Sequence, residues 1–237
     1  MSLSQRLKNL VSKSVAVLII STILFSFSLA FASYYEDVED HWAEDRIDTW
    51  IEKDLASGYE DGTFRPDEEV TRAEFVAFVN RAFDISTKEE SLDFEDVSED
   101  DWYYDEIRKG VSKDILSGYP DGNFRPEDSI IRQEAASVMS RLLDVNSESE
   151  ELSFDDTENI EDYAVEAVDK VYINDIMSGY PDNTFRPLTP ITRAETVVTL
   201  DDALEVDLEN PKNQKKNQKS MKYLLKWKTN LALPLET

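Results

Sequence analysis

A ten-residue string occurs three times in this chain, and no other feature narrows its folding options so far. Ser57-Gly58-Tyr59-Glu60-Asp61-Gly62-Thr63-Phe64-Arg65-Pro66 returns as Ser117-Gly118-Tyr119-Pro120-Asp121-Gly122-Asn123-Phe124-Arg125-Pro126 and as Ser178-Gly179-Tyr180-Pro181-Asp182-Asn183-Thr184-Phe185-Arg186-Pro187. Ahead of the copies stand Tyr35-Glu36-Asp37-Val38, Phe94-Glu95-Asp96-Val97 and Phe154-Asp155-Asp156-Thr157. Behind them stand Val70-Thr71-Arg72-Ala73-Glu74, Ile130-Ile131-Arg132-Gln133-Glu134 and Ile191-Thr192-Arg193-Ala194-Glu195. Repeats of this size are too small to bury an apolar face alone, so they stack on one another.

Each unit reads as helix, loop, helix. In the first, Ala43, Ile47, Trp50, Ile51 and Leu55 recur mostly at three- and four-residue spacing, one apolar stripe on a helix. Ile107, Val111 and Ile115 repeat the stripe, as do Val168, Tyr172 and Ile176. Gly58, Gly118 and Gly179 stand where a left-handed residue would end that helix. The Asp-Gly, Asp-Gly and Asp-Asn pairs that follow predict tight turns.

The second helix opens with Thr71 and Glu74 at capping-box spacing, while Val70 and Phe75 take the positions of a hydrophobic staple. Phe78, Val79 and Ala82 continue its buried face, and Thr192 and Glu195 repeat the box. Ile131 holds the cap position of the second unit, where the missing hydroxyl predicts a loss of about 1 kcal/mol. The repeats are placed at 34–85, 94–145 and 154–206, with polar linkers at Ser86–Asp93 and Asn146–Ser153. The expected fold is mainly α: three helix-loop-helix repeats packed as one pseudo-threefold helical domain.

Composition removes several functions. Cysteine is absent and His41 is the single histidine, which leaves no disulfide, thiolate metal site or multi-histidine centre and argues against a histidine-based triad. Residues 33–210 carry 15 basic and 50 acidic side chains, a net of −35. Phosphate contacts need clustered Lys and Arg, so nucleic acid is not an expected partner. No cofactor or metal site is assigned. A calcium loop would need D-x-[DN]-x-[DN]-G spacing with a later Glu, and no loop shows it. A glycosidase would need a carboxylate pair on a catalytic fold, for which the repeats leave no room; no catalytic residue is assigned.

The two ends differ from the repeats. Arg6, Lys8 and Lys13 precede an apolar run from Val15 to Phe25 and the small-residue site Ala30-Phe31-Ala32. Residues 1–32 therefore read as a signal peptide cut after Ala32, with no stable membrane insertion after cleavage. Residues 211–237 hold seven Lys and one Glu and are expected to form a basic, disordered tail. Leu233-Pro234 opens like a sortase signal, but Glu236 interrupts the pattern, so covalent sorting is not expected.

The repeated strings resemble the surface-layer homology (SLH) domain family, over about residues 34–206 and all three repeats. That family's unit reads roughly F-x-D-V, W-A, G-Y-x-D-G-T-F-R-P and I-T-R-A-E. The resemblance implies a three-pronged helical domain whose inter-unit grooves hold secondary cell-wall polysaccharide, commonly bearing pyruvylated N-acetylmannosamine. It implies a secreted, non-enzymatic protein held non-covalently at the bacterial cell wall, as S-layer proteins are. The alternatives are direct peptidoglycan binding and a calcium-dependent structural surface module.

Arg72, Arg132 and Arg193 are the first candidates for polysaccharide contact. Each would sit at N1, beside free amides and the positive helix end, where a guanidinium can grip a carboxylate through two parallel bonds. Capping does not require them. Glu74, Glu134 and Glu195 join the site where capping leaves them free. Gly58, Gly118 and Gly179 would, by the resemblance, let a sugar approach the backbone. Trp42 and Trp102 offer faces for stacking, although the start of an amphipathic helix favours the core. Arg65, Arg125 and Arg186 read as structural turn residues, and His41 as a surface or capping residue. Tyr163 stands in place of tryptophan, Thr157 of valine and Asn183 of glycine in the third unit, and Ile131 and Gln133 break the arginine motif of the second. Unequal grooves are expected, with the first and third arginine motifs better preserved.

Overall fold

The computed structural model describes residues 34–86, 91–143, 145 and 152–209. The leader at 1–32 and the tail at 211–237 lie outside the described residues, as do parts of both linkers. Six α-helices follow in pairs: α1 (Glu44–Glu52) and α2 (Arg72–Ala82), α3 (Tyr104–Val111) and α4 (Arg132–Leu142), α5 (Val165–Ile173) and α6 (Arg193–Glu209). Short 3-10 turns at Glu36–Val38 and Thr157–Asn159 precede α1 and α5. Among the described residues there are isolated β-bridges but no strand. The mainly helical expectation is met.

The local signals behave unequally. Thr71 closes the capping box: its hydroxyl accepts from the Glu74 amide at 3.2 Å, and the Thr71 amide donates to Glu74 Oε2 at 3.0 Å. Thr192 and Glu195 repeat this at 3.2 and 3.1 Å. In the second unit Ile131 keeps half a box, its amide donating to Glu134 at 3.3 Å, and the Glu134 amide turns to the Ile131 carbonyl at 3.0 Å instead. Gly62, Gly122 and Asn183 take the left-handed turn, with φ of 81°, 86° and 61°.

The helix stops are a correction. Asp54, Asp114 and Asp175, at φ 57°, 59° and 55°, make the left-handed exits, and none of Gly58, Gly118 and Gly179 lies in that region. Those glycines are required for another reason. A Cβ on Gly58 would collide with the Tyr35 ring and the Thr63 carbonyl oxygen; on Gly118 and Gly179 it would collide with Phe94 and Phe154. The aromatic that opens each unit therefore packs directly against the glycine at the second position of the repeated string.

The aspartate two residues after that aromatic fastens the same loop. Asp37 accepts the Phe64 and Arg65 amides at 2.9 and 2.6 Å, Asp96 those of Phe124 and Arg125 at 2.8 and 2.6 Å, and Asp156 those of Phe185 and Arg186 at 2.8 and 2.7 Å. Charged acceptors on paired amides are strong bonds, and here they pin the left-handed arginines at φ 58°, 58° and 56°. Phe64, Phe124 and Phe185 are thereby driven into the core, where they are fully buried.

Helix pairing departs from a simple hairpin. The principal pairings all cross between units: α2 packs on α3, α4 on α5, and α6 returns to α1. At the centre three backbone bonds run in a circle, Val70 to Ile191, Ile191 to Ile130 and Ile130 to Val70, each 3.0 Å from amide nitrogen to carbonyl oxygen. This ring is the pseudo-threefold axis. Each seam also carries its own polar clasp. Asn80 of α2 donates to the Glu106 carboxylate of α3 at 2.7 Å, and Gln133 of α4 accepts the Glu161 amide ahead of α5 at 3.1 Å. Arg46 of α1 reaches Asp201 and Asp202 of α6 at 2.6 and 2.7 Å, with Trp50 Nε1 donating to Asp201 at 2.9 Å.

Candidate functional site

The second helices begin at the axis, and their first residues decide what the inter-unit grooves contain. The N1 amides are not free, contrary to expectation. Arg72 N donates to Asp128 O, Arg132 N to Thr189 O and Arg193 N to Glu68 O, each at 2.9 Å, and the N2 amides of Ala73, Gln133 and Ala194 bond Pro126, Pro187 and Pro66. Every second helix is capped by the neighbouring unit's loop.

The arginine side chains follow the same path. Arg72, Arg132 and Arg193 are only 7, 5 and 4% exposed. Their Nε atoms donate to the carbonyls of Phe124, Phe185 and Phe64 at 2.9, 2.8 and 2.8 Å, and Nη2 reaches those of Ser117, Ser178 and Ser57. Each guanidinium therefore ties two units together, so it serves the fold even though capping does not require it. Burial weakens Arg132's hold on its proton relative to an ordinary arginine, the carbonyls and nearby acids keeping it charged. A guanidinium has five N–H donors, so these bonds leave donors on Nη1 and Nη2 that edge the groove.

Each groove then acquires a tyrosine and a glutamate from the next unit. Arg72 lies over the Tyr119 ring, Arg132 over Tyr180 and Arg193 over Tyr59, all 4.8 Å from the centroid. The Tyr119 and Tyr180 hydroxyls donate to Glu134 and Glu195 at 2.5 Å, and Tyr59 to Glu74 at 3.4 Å. Burial first, then the glutamate bond, pushes both Tyr119 and Tyr180 up to about 12. Arg72 Nη1 stands 3.3 Å from Glu134, and Arg132 Nη1 3.9 Å from Glu195.

The contiguous T-R-A-E motif is thus divided. Arg72 belongs with Glu134, Arg132 with Glu195 and Arg193 with Tyr59, the partner of Glu74, so the two charged residues of one motif face different grooves. Counting intact motifs unit by unit, as the sequence invites, does not rank the grooves.

An aromatic from the third unit in turn completes the wall. The groove at Arg72 is a cavity of 630 Å³ lined by Arg72, Gly118, Tyr119, Glu134, Arg141 and Tyr163 among others, a size that suits a small glycan. By the threefold repetition Trp42 and Trp102 hold the positions of Tyr163 in the grooves of Arg132 and Arg193. All three are solvent-facing, with 64, 60 and 54% of Trp42, Trp102 and Tyr163 exposed, which corrects the core assignment of the tryptophans. The reason is local. Each lies two residues ahead of its helix and so outside the helical stripe. Of the glycines, Gly118 lines the cavity, but its bare backbone serves the Phe94 ring first.

The remaining residues fall where expected. Arg65, Arg125 and Arg186 pair with Asp61, Asp121 and Asp182 four residues earlier, at 2.8, 2.8 and 2.9 Å. His41 Nδ1 accepts the Ala43 amide at 3.2 Å. Among the described residues no three acidic or histidine side chains gather as a metal site would need, and no helix is long and apolar enough to cross a membrane. Tyr59, Tyr119 and Tyr180 were missed as site residues; their place one residue after the close-packed glycine was the available signal.

Comparison with known proteins agrees with this architecture. The S-layer homology domain model matches three times, at residues 34–76, 93–136 and 153–197. The chain is 33% identical over 177 residues to an amylopullulanase of Thermoanaerobacterium thermosulfurigenes, covering 72% of this chain and 9% of that protein. It is 32% identical over 155 residues to a cellulosome-anchoring protein of Acetivibrio thermocellus, covering 62% and 35%. It is 25% identical over 197 residues to the surface-layer 125 kDa protein of Lysinibacillus sphaericus, covering 82% and 17%. The chain therefore spans about a third or less of these relatives' length. Three matched repeats, interlocked by the motifs that define them, show that this chain belongs to the S-layer homology domain family and is a protein of the cell surface, associated with the wall.

Proposed function

We propose that the three grooves bind an anionic secondary cell-wall polysaccharide and so hold the protein non-covalently on the bacterial wall. The supporting observation is the repeated wall of each groove: a guanidinium edge with spare donors beside a Tyr–Glu pair, under an exposed aromatic ring. An aromatic face takes the apolar face of a sugar, and fixed N–H donors take a carboxylate such as a pyruvyl ketal. The names of the cellulosome-anchoring and surface-layer relatives favour anchoring over catalysis.

The test is cosedimentation of the protein with polymer-bearing walls and with walls stripped of polymer by acid extraction. Binding to the first alone is expected. Retention on stripped walls would instead show direct peptidoglycan binding, and no sedimentation with either would refute the reading. Residues 33–210 are net −35, so long-range repulsion opposes an anionic polymer and salt screens it. Wall association should be no weaker at moderate than at low salt.

A further inference from the structure

Exposed apolar side chains are unevenly shared among the units. Beyond the three groove aromatics and Tyr34, every large apolar residue that faces solvent among the described residues belongs to the third unit: Val165, Tyr172 and Leu188. None of the three lines the cavity at Arg72. Val165 and Tyr172 are two helical turns apart on α5 and so share a face. Leu188 stands beside the start of that helix. In the first unit His41 Nε2 lies 3.3 Å from Asp67, and the repeat makes Asp162 and Leu188 the corresponding pair.

The other units do not share this surface. Where the third has Val165 and Leu188, the first has Glu44 and Asp67, and the second has Tyr104 and Glu127. Exposed apolar residues scattered singly need no explanation, but a group on one face marks a docking surface. Charge of one sign borders the patch. Residues 152–185 hold nine acids and a single base, Lys170, which Glu166 already engages at 2.7 Å.

The chain itself supplies a complementary segment. Residues 211–237, outside the described residues, carry seven lysines, and from Lys219 to Lys228 the lysines are interspersed with Met221, Tyr223, Leu224, Leu225 and Trp227. A tail that only solvates has no use for such side chains. The tether also fits. α6 belongs to the third unit and ends at Glu209, and the stretch from there to Lys219 spans about 35 Å when extended, more than the roughly 25 Å of α6 itself. A short tether of this kind holds its segment at about millimolar local concentration, an advantage over any separate partner of similar affinity.

We propose that the segment Lys219–Lys228 docks on the α5 face of its own domain. Its apolar side chains cover Val165, Tyr172 and Leu188, and its lysines meet the surrounding carboxylates. The acidic domain thus carries its own counter-charge where its apolar surface is exposed. Docking here does not depend on polysaccharide binding in the grooves.

The chain has no cysteine, so Ser220→Cys offers a single attachment point for a nitroxide spin label. In the leader-free protein, paramagnetic broadening of amide signals should fall on α5 and on the loop around Leu188. It should weaken toward molar salt, where the screening length shrinks to about 3 Å. Val165→Glu combined with Leu188→Asp gives the third unit the first unit's residues at two exposed positions, and unchanged amide dispersion checks that the variant folds. Its docking constant should drop about tenfold, read as recovery of the broadened signals. Undiminished broadening in this variant shows that charge alone holds the tail and overturns the proposal. Broadening centred on another face, such as α1 with α6, does so too, as does broadening confined to the label's neighbours in sequence. Spin-labelled protein without isotope enrichment, mixed with enriched unlabelled protein, should broaden nothing; broadening there assigns the site to a second copy's tail and overturns docking within one chain.

Discussion

Every unit has two arginines over one tyrosine, and they live in opposite surroundings. Arg193 and Arg65 both approach Tyr59, at 4.8 and 3.8 Å; Arg72 and Arg125 approach Tyr119; Arg132 and Arg186 approach Tyr180. One of each pair is buried and comes from another unit, its Nε and one Nη2 donor bonded to carbonyls of the tyrosine's unit. The other is exposed and clamps its own turn through an aspartate four residues back. Cation and ring are the same in both, so the contact itself does not set the importance of the residue. Desolvation and the identity of the bonded partner do.

The largest expected effect lies on the buried side. Arg132→Ala strands the Phe185 and Ser178 carbonyls and removes a tie between units, a loss of about 3 kcal/mol. The melting midpoint should fall by roughly 6–12 °C in calorimetry. Lysine should rescue little, since an ammonium cannot reproduce the fork. A drop of only a degree or two would erase the distinction drawn here.

Next comes Gly118→Ala, which forces a methyl group into the Phe94 ring and the Asn123 carbonyl. Overpacking of this kind costs about 1–3 kcal/mol, read from urea unfolding midpoints. Ile131→Thr should act in the opposite sense. Completing the third capping box should stabilise by under about 1 kcal/mol, because the Glu134 amide already has a backbone acceptor.

The exposed arginines should matter least. Arg186→Ala is expected to leave the thermal midpoint nearly unchanged at neutral pH, in contrast to Arg132→Ala. Its trace should appear in acid. The Thr184 hydroxyl first, and then Arg186, hold the Asp182 carboxyl down at about 2, and Thr63 and Arg65 do the same for Asp61. A lowered folded value means stability present above the ordinary carboxylate range near 4 and lost as pH falls toward 2. Carboxyl carbon NMR should show Asp182 titrating near 2 in the unmutated protein and closer to its ordinary value in Arg186→Ala.

Much of the fold was legible because it is written locally. Thr71 with Glu74 and Gly62 with Gly122 are signals confined to a few residues, and the structure repeats them as read. What was not legible is which element each residue meets at long range. The stripe of Ile47 and Trp50 says that a helix face is buried, without saying that α6 rather than α2 covers it. The role of Asp37 spans 27 residues to Phe64, and that of Arg193 spans 129 to the same phenylalanine. Trp42 and Trp102 were misplaced because a helical wheel was extended two residues past the helix. The arginine motif was correctly singled out, but its neighbours in sequence turned out not to be its neighbours in the groove.

The ring of amides at the axis has a consequence for how the chain comes together. Val70 cannot find its acceptor until Ile191 has been made and brought back 121 residues. The first unit is thus left with an open flank until the third arrives, and closing that loop is the most entropically demanding event in the domain. A two-unit fragment has no partner for either flank. Such a fragment should stay largely unstructured alone and become ordered only when the missing unit is supplied as a separate peptide.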